Sequence, residues 1–306
     1  MVVNSIFCII RYGELALKGK NRLFFEKSLV KSLKTCLKLN KLGFVAVIRV
    51  SGRFLIDLGC FNSNNCEITE QIKKYYVLAN VFGVNSISFG YGFSMDELEK
   101  GVELMLKDRD FNTFRISTNK VGFKNKDKSS MDIDRKLGSY VVEKYGKKVS
   151  LKEFDININI ELIDDYAYIF LDKIKGIGGL PYGVEGKCLA FIRNKNDLLA
   201  ALLMMKRGCA AVCVIAGDVN IITNSEINQL FIKYGVKPHI IKCIGEIKDT
   251  GFIKGGINEI ARKEMCNSVV SGQTLDDFEK FSELVEFRPL IGMAKKELYG
   301  LIKKLL

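Results

Sequence analysis

Basic side chains and glycines are concentrated near the start of the chain, a combination suited to contact with phosphate. Residues 11–22 contain four Lys or Arg together with Gly13 and Gly19. Glycines let the backbone approach a phosphate closely, and the cations would neutralise its charge. The alternative is a basic connection between two elements that binds no ligand. The candidate phosphate contacts in this segment are Lys18, Lys20 and Arg22.

A predicted helix directly after this segment carries a stripe of lysines. Over Asn21–Lys38, apolar residues recur at helical spacing and lysines recur on the opposite face. Glu26 is the lone acidic residue among those lysines. A stripe of this kind fits a phosphate backbone, and a solvated helix face is the alternative interpretation. The candidate contacts are Lys27, Lys31 and Lys34, and the stripe continues to Lys38.

A second basic segment, between Lys120 and Lys136, surrounds the aromatic ring of Phe123. Cations interleaved with an aromatic ring suit an RNA backbone with a base that can stack. Three aspartates dilute the positive charge, so a polar loop without a ligand is the alternative. The candidate RNA contacts here are Lys120, Phe123, Lys124, Lys126, Lys128, Arg135 and Lys136.

Overall charge also favours a polyanionic partner. The chain of 306 residues has a formal net charge of +12, and residues 1–75 carry a net +8 of that total. A single histidine, His239, and nine cysteines without a CxxC pair argue against a metal site and a Ser-His-Asp triad. We therefore predict no metal and treat the cysteines as reduced structural thiols. The absence of both a long apolar run and a signal-peptide pattern predicts a cytoplasmic protein without membrane association.

The elements that must position these residues fall into three predicted domains. The pattern of residues 1–75 predicts a strand, a helix, two strands and a helix, which is the order of a ferredoxin-like α+β domain. Residues 76–175 form a second α+β domain with a cleanly alternating strand from Phe154 to Leu162. Residues 176–306 alternate short apolar strands with helices, which indicates a doubly wound parallel α/β sheet. Four glycines within Gly176–Gly183 mark the predicted junction.

Four motifs in this order resemble the tRNA 4-thiouridine synthetase (ThiI) family. Residues 11–22 are similar to the family's opening, and Ser129 to Gly138 to the helix of its THUMP domain. Gly-Ile-Gly-Gly-Leu-Pro (176–181) resembles the junction to its catalytic domain, and Arg-Pro-Leu-Ile (288–291) a late strand. The resemblance covers essentially the whole chain. It implies a ferredoxin-like domain, a THUMP domain that grips tRNA near its 3′ end, a PP-loop adenylating domain and a homodimer.

The nucleotide site implied by this resemblance is degenerate in the sequence. The family's PP-loop reads Ser-Gly-Gly-x-Asp-Ser, whereas this chain has Arg193-Asn194-Lys195-Asn196-Asp197-Leu198. Small residues bring backbone N–H groups against phosphates, and here they are lost. We predict no cofactor, with ATP binding doubtful, and no cysteine at the family's sulfur-handling position, which would follow residues 288–291. The remnants of the nucleotide site are Arg193, Lys195, Asp197, Gly272 and Gln273.

Together these observations predict a tRNA-binding THUMP protein that does not adenylate by itself. It would present the tRNA acceptor end to a separate modifying enzyme, and we assign it no catalytic residue. The alternative is a tRNA sulfurtransferase that forms 4-thiouridine with a rewired or partner-completed active site. The third hypothesis is a structural protein that has lost RNA binding. The basic N-terminal region argues against it.

Overall fold

The computed structural model describes residues 5–60, 65–123, 129–215, 224–242, 250–280 and 282–306. Lys124, Lys126 and Lys128 lie outside the described residues. In chain order the strands and α-helices are β1 Ile6–Tyr12, α1 Arg22–Leu39, β2 Ala46–Val50, β3 Arg53–Asp57, α2 Asn65–Lys74, β4 Val84–Phe93, α3 Leu98–Leu106, β5 Thr113–Val121, α4 Ser130–Tyr145, β6 Lys148–Val149, β7 Ile156–Ile163, β8 Tyr166–Phe170, β9 Ile174–Lys175, β10 Lys187–Ile192, α5 Lys195–Lys206, β11 Ala210–Ile215, α6 Asn224–Lys233, β12 Ile240–Lys242, α7 Thr250–Lys263, β13 Ser268–Val270, β14 Val285–Phe287 and α8 Lys295–Leu305.

Contacts divide the chain into two units. The first unit comprises Met1–Tyr12, Leu42–Ala79 and Val84–Gly176. The second comprises Gly13–Lys41, Asn80–Gly83 and Ile177–Leu306, so helix α1 groups with the C-terminal half of the chain. The three domains expected over 1–75, 76–175 and 176–306 remain a prediction about chain organisation.

A single nine-stranded sheet forms the frame of the first unit. Its order is β2-β3-β1-β4-β8-β7-β5-β6, and β9 pairs with β4. Helices α3 and α4 pack over one face, where the alternating residues Ile158, Ile160 and Leu162 of β7 join the core. On the opposite face a smaller cluster contains Ile9, Leu55 and Phe170. Strands from residues 1–75 and from residues 76–175 thus share one hydrogen-bonded sheet.

The second unit has a five-stranded sheet of order β12-β11-β10-β13-β14, in which every strand pairing is parallel. In chain order these strands lie 3-2-1-4-5, so the direction of winding reverses between β10 and β13. This arrangement confirms the predicted doubly wound α/β fold. Helix α1 packs closely here, since a Cβ at Gly235 would lie 2.7 Å from the Cβ of Cys36.

Some predicted boundaries differ from the structure. The cap of α4 is Ser129, whose hydroxyl accepts the Met131 N–H at 3.2 Å. The alternating strand predicted from Phe154 to Leu162 runs from Ile156 to Ile163, and the helix predicted over Asn21–Lys38 runs from Arg22 to Leu39. Among the described residues, no helix is long and apolar enough to cross a membrane.

Candidate nucleic-acid interface and nucleotide-binding region

Helix α1 presents an exposed face of lysines that form no ion pair within the described residues. Its opposite face is buried through residues such as Leu29, Leu33 and Leu37. Glu26, the lone acidic residue among these lysines in the sequence, is buried and accepts a hydrogen bond from the Arg22 Nε at 2.8 Å. The exposed lysines of α1 are Lys27, Lys31, Lys34 and Lys38, which we call the lysine stripe.

The basic segment before α1 is engaged mainly in internal contacts. Lys18 lies 3.4 Å from Glu185 and over the ring of Phe25, with its Nζ 4.5 Å from the ring centroid. Arg22 is paired with Glu26. Lys20 is exposed and has no ion pair among the residues that the structure describes. Of the three candidate contacts in this segment, Lys20 is therefore the one most accessible to phosphate.

Arg11, the first residue of that segment, is buried in the sheet of the first unit with only 4% of its surface exposed. Its Nε donates to Glu161 Oε1 at 2.7 Å, and its Nη1 donates to Ser88 Oγ at 3.0 Å. Arg53 donates to the other carboxylate oxygen of Glu161 at 3.1 Å. This buried ion pair was not anticipated, because the sequence separations hide it and no local pattern reveals it.

The described part of the Lys120–Lys136 segment contains a cation beside an aromatic ring. Lys120 is exposed, and its Nζ lies 5.8 Å from the centroid of Phe123, which is partly buried. Arg135 lies 3.6 Å from Asp132, and Lys136 lies 3.0 Å from Glu99. Both pairs are strongly exposed to solvent, so their net contribution is small and the cations remain accessible.

The hairpin between β2 and β3 packs against the start of the Lys120–Lys136 segment. A Cβ at Gly122 would lie 2.2 Å from the Cβ of Ser51, and Gly122 has a positive φ of 66°. The hairpin tip therefore packs directly against the residue that precedes Phe123. Arg53 of this hairpin donates a hydrogen bond to Glu161 of β7. Glu161 in turn pairs with Asn119 of the neighbouring strand β5.

The crevice expected to bind a nucleotide lies at the carboxyl ends of β10 and β13. Ligands of doubly wound sheets bind where the winding direction reverses. Here Arg193 follows β10, and Gly272 with Gln273 follows β13. The structure thus brings together the five residues predicted as remnants of a nucleotide site, at the start of α5 and the end of β13.

Asp197 lies at these strand ends and is fully buried. Its carboxylate accepts hydrogen bonds from the Arg193 backbone N–H at 3.0 Å, Nε at 3.1 Å and Nη2 at 3.0 Å. The Gly272 N–H also donates to it at 2.7 Å. Meanwhile the Asn194 side chain caps α5 by accepting the Asp197 N–H at 3.1 Å. The chain's own side chains therefore satisfy donors that a phosphate would need.

The neighbouring remnants leave little room at this point. A Cβ at Gly272 would lie 2.2 Å from the carbonyl carbon of Asn196, so backbone packs on backbone. Gln273 is buried and accepts a hydrogen bond from Arg288 Nε at 2.8 Å. Of the five remnants, Lys195 is the one that projects as an exposed cation. A buried carboxylate and this close packing do not fit a triphosphate against the start of α5.

The cysteines are unpaired wherever the structure describes them. Burial raises the pKa of Cys213 and of Cys36 to about 12, so both thiols are protonated at neutral pH. A hydrogen bond from Cys188 lowers the pKa of the half-exposed Cys209. Within the described ranges, no group of three or more His, Cys, Asp or Glu side chains could hold a metal ion.

Comparison with known families defines the class of protein. The ThiI ferredoxin-like domain family matches residues 7–88, and the THUMP domain family matches residues 93–172. With the parallel α/β domain that follows, the chain is a THUMP protein of the ThiI type. The chain belongs to the tRNA sulfurtransferase family: a probable tRNA sulfurtransferase of Thermococcus kodakarensis is 31% identical over 97% of this chain and 87% of the relative.

Solved structures agree with this assignment. A protein from Pyrococcus horikoshii matches with a TM-score of 0.80 and 26% identity, over 98% of this chain and 99% of that one. A 4-thiouridine synthetase, crystallised as an RNA complex with bound ATP, matches with a TM-score of 0.74 and 21% identity, over 98% and 84% of the two chains. The second likeness concerns the fold alone. The family resemblance seen in the sequence motifs is confirmed.

Proposed function

We propose that this protein binds tRNA without adenylating it and presents the acceptor end to a separate modifying enzyme. The THUMP domain and the exposed lysine stripe of α1 support tRNA binding. Buried Asp197, bonded to Arg193 and Gly272, is the observation that carries the proposed loss of adenylation. A phosphate at the start of α5 would have to displace this carboxylate and would be repelled by its charge.

The organisation and setting of this function are also proposals. The domains would be 1–75, 76–175 and 176–306, acting in the cytoplasm, where tRNA modification enzymes would meet the complex. A homodimer is the assembly that the family resemblance implies. The RNA contacts would come from Lys20 and the lysine stripe in one unit and from the Lys120–Lys136 segment in the other.

A second candidate is a tRNA sulfurtransferase with a rewired or partner-completed active site. It is favoured by family membership, since the aligned region spans 87% of the Thermococcus kodakarensis relative. ATP-dependent release of pyrophosphate on addition of tRNA distinguishes the two proposals. Release by the protein alone, or with cell extract but not with extract alone, would support the second candidate and overturn the first.

Binding of tRNA over a salt series is the primary test. If about six phosphates are contacted, affinity should fall on the order of a thousandfold between roughly 50 and 200 mM salt. The same tRNA trimmed of its 3′ CCA should bind more weakly if the acceptor end is gripped. Binding that ignores the trimming would indicate a generic basic surface, and absence of binding would refute the proposed function.

A further inference from the structure

A large aromatic side chain is exposed at the head of the lysine stripe. Phe24 has 55% of its surface exposed, whereas its neighbour Phe25 is buried and packs edge-to-face against it with ring centroids 5.5 Å apart. Two further apolar side chains nearby in sequence are exposed, Leu17 at 87% and Leu23 at 47%. The helix buries its core residues elsewhere, so the exposure of Phe24 has no packing explanation within α1.

The position of Phe24 continues the lysine stripe. Residues 24, 27, 31, 34 and 38 follow one another at alternating spacings of three and four, which places them on a single helix face. The row extends over about 21 Å, at 1.5 Å per residue. Lys20 is exposed one turn before Phe24. An aromatic ring therefore heads a helix row whose other members, Lys27, Lys31, Lys34 and Lys38, are exposed lysines.

This combination matches the way proteins hold unpaired nucleotides. Lysines follow the phosphate backbone, and a base stacks on the aromatic ring whatever its sequence. A membrane surface is the other anionic partner that a basic helix can meet, but such a helix inserts a broad apolar face. The apolar face of α1, including Leu29 and Leu33, is buried inside the protein. The charge pattern and the single ring favour RNA.

We propose that Phe24 is a stacking platform for an unpaired nucleotide of the bound RNA, whose backbone continues along the lysine stripe. This inference rests on the proposed tRNA binding and names a contact within it. Stacking on Phe24 would fix the position of one base, while Lys27 and Lys31 would neutralise the adjoining phosphates. A fully paired helix offers no such base, so the site would prefer single-stranded RNA.

The chain contains no tryptophan, so a single substitution can report on this contact. In Phe24→Trp, intact tRNA and a short single-stranded RNA should quench the indole emission, and a blunt RNA duplex should not. Affinity for tRNA should stay within about twofold of the parent, because indole also stacks. Phe24→Ala should weaken binding roughly 5- to 150-fold, the equivalent of about 1–3 kcal/mol.

Tyr299→Trp is the matched control. Tyr299 is an exposed aromatic on α8 with Lys295, Lys296 and Lys303 close in sequence, so it tests whether any ring among lysines responds. We expect its emission to be unaffected by RNA. Equal quenching at both positions would indicate non-specific association and would overturn the assignment of Phe24.

Other outcomes separate this inference from the proposed function. Salt-sensitive tRNA binding with unchanged indole emission in Phe24→Trp and unimpaired affinity in Phe24→Ala would refute the stacking site and leave tRNA binding intact. A blue shift of the Phe24→Trp emission with anionic phospholipid vesicles, but no response to RNA, would refute it in favour of a membrane surface. Failure of the parent protein to bind either RNA would refute both proposals.

Discussion

Asp197 is a buried carboxylate whose hydrogen bonds are all made within the protein. A carboxylate at the start of a helix beside glycines leaves backbone N–H groups available for a phosphate. In this chain the same carboxylate accepts hydrogen bonds from Arg193 and from the Gly272 N–H. Asp197 therefore pairs with Arg193 and connects α5 to the residue after β13.

Substitution of Asp197 should consequently affect folding more than RNA binding. In Asp197→Ala, Arg193 and the Gly272 N–H lose the carboxylate that accepts their hydrogen bonds. We expect the free energy of unfolding to fall by about 3 kcal/mol. This is the lower end of the range for a broken buried ion pair, because Arg193 is partly exposed. Urea unfolding measures this change, and tRNA affinity of the folded protein should not change.

The conservative variant Asp197→Asn provides the control for this prediction. It keeps the shape of the side chain but not its charge, and it should be less destabilising than alanine. If either variant abolished ATP-dependent chemistry without a loss of stability, the crevice would have to be regarded as a working nucleotide site.

Helix α1 carries the predicted RNA contacts that are easiest to test as a group. Replacement of Lys27, Lys31 and Lys34 by Gln should weaken tRNA binding and reduce the salt slope by about one per lysine lost, because fewer counterions are released. Filter binding or fluorescence anisotropy at several salt concentrations measures both quantities.

The matching control removes the same charge from a different helix. Replacement of Lys296, Lys303 and Lys304 on α8 by Gln lowers the net charge equally, and all three side chains are exposed. An equal loss of affinity in the two triple variants would mean that the general field of the protein, and not the lysine stripe, binds tRNA.

The β2–β3 hairpin should influence RNA binding through the segment it supports. Gly122→Ala would force a methyl group against Ser51, at a backbone φ that disfavours alanine, and should displace the loop carrying Phe123. We expect weaker tRNA binding in this variant. Adding Ser51→Gly removes the clash and should restore part of the affinity, which calorimetric titration of the single and double variants would measure.

Equal affinity in Gly122→Ala and the parent would show that the hairpin does not position the Lys120–Lys136 segment. The same conclusion would follow if the double variant failed to recover affinity although thermal unfolding showed that it was folded. The comparison separates displacement of Phe123 from a general loss of stability.

At the level of elements, local pattern predicted most of the structure. Alternation from Phe154 to Leu162 identified β7, and helical spacing identified α1, because both patterns depend on one buried face. The pairings of Arg11 with Glu161 and of Glu26 with Arg22 were not predicted, since a sequence does not reveal which charged side chains turn inward. Recognition of Gly272 as part of the nucleotide region depended on family resemblance alone.

For the molecule as a whole, family membership and the proposed loss of adenylation are compatible. The chain aligns along 97% of its length with a probable tRNA sulfurtransferase, so its overall architecture is retained. The difference that bears on nucleotide binding lies at the ends of β10 and β13. The net +8 of residues 1–75 is consistent with an RNA-binding role that does not depend on those strand ends.

The nine-stranded sheet of the first unit has a consequence for how this protein can evolve. Strand β4 pairs with β1 on one side and with β8 on the other, and the THUMP match begins at its last residue, Phe93. A THUMP fragment starting there would leave the backbone groups of β8 as an open edge prone to association. The two N-terminal domains are therefore not separable modules, and recombination that exchanged one would have to carry the other with it.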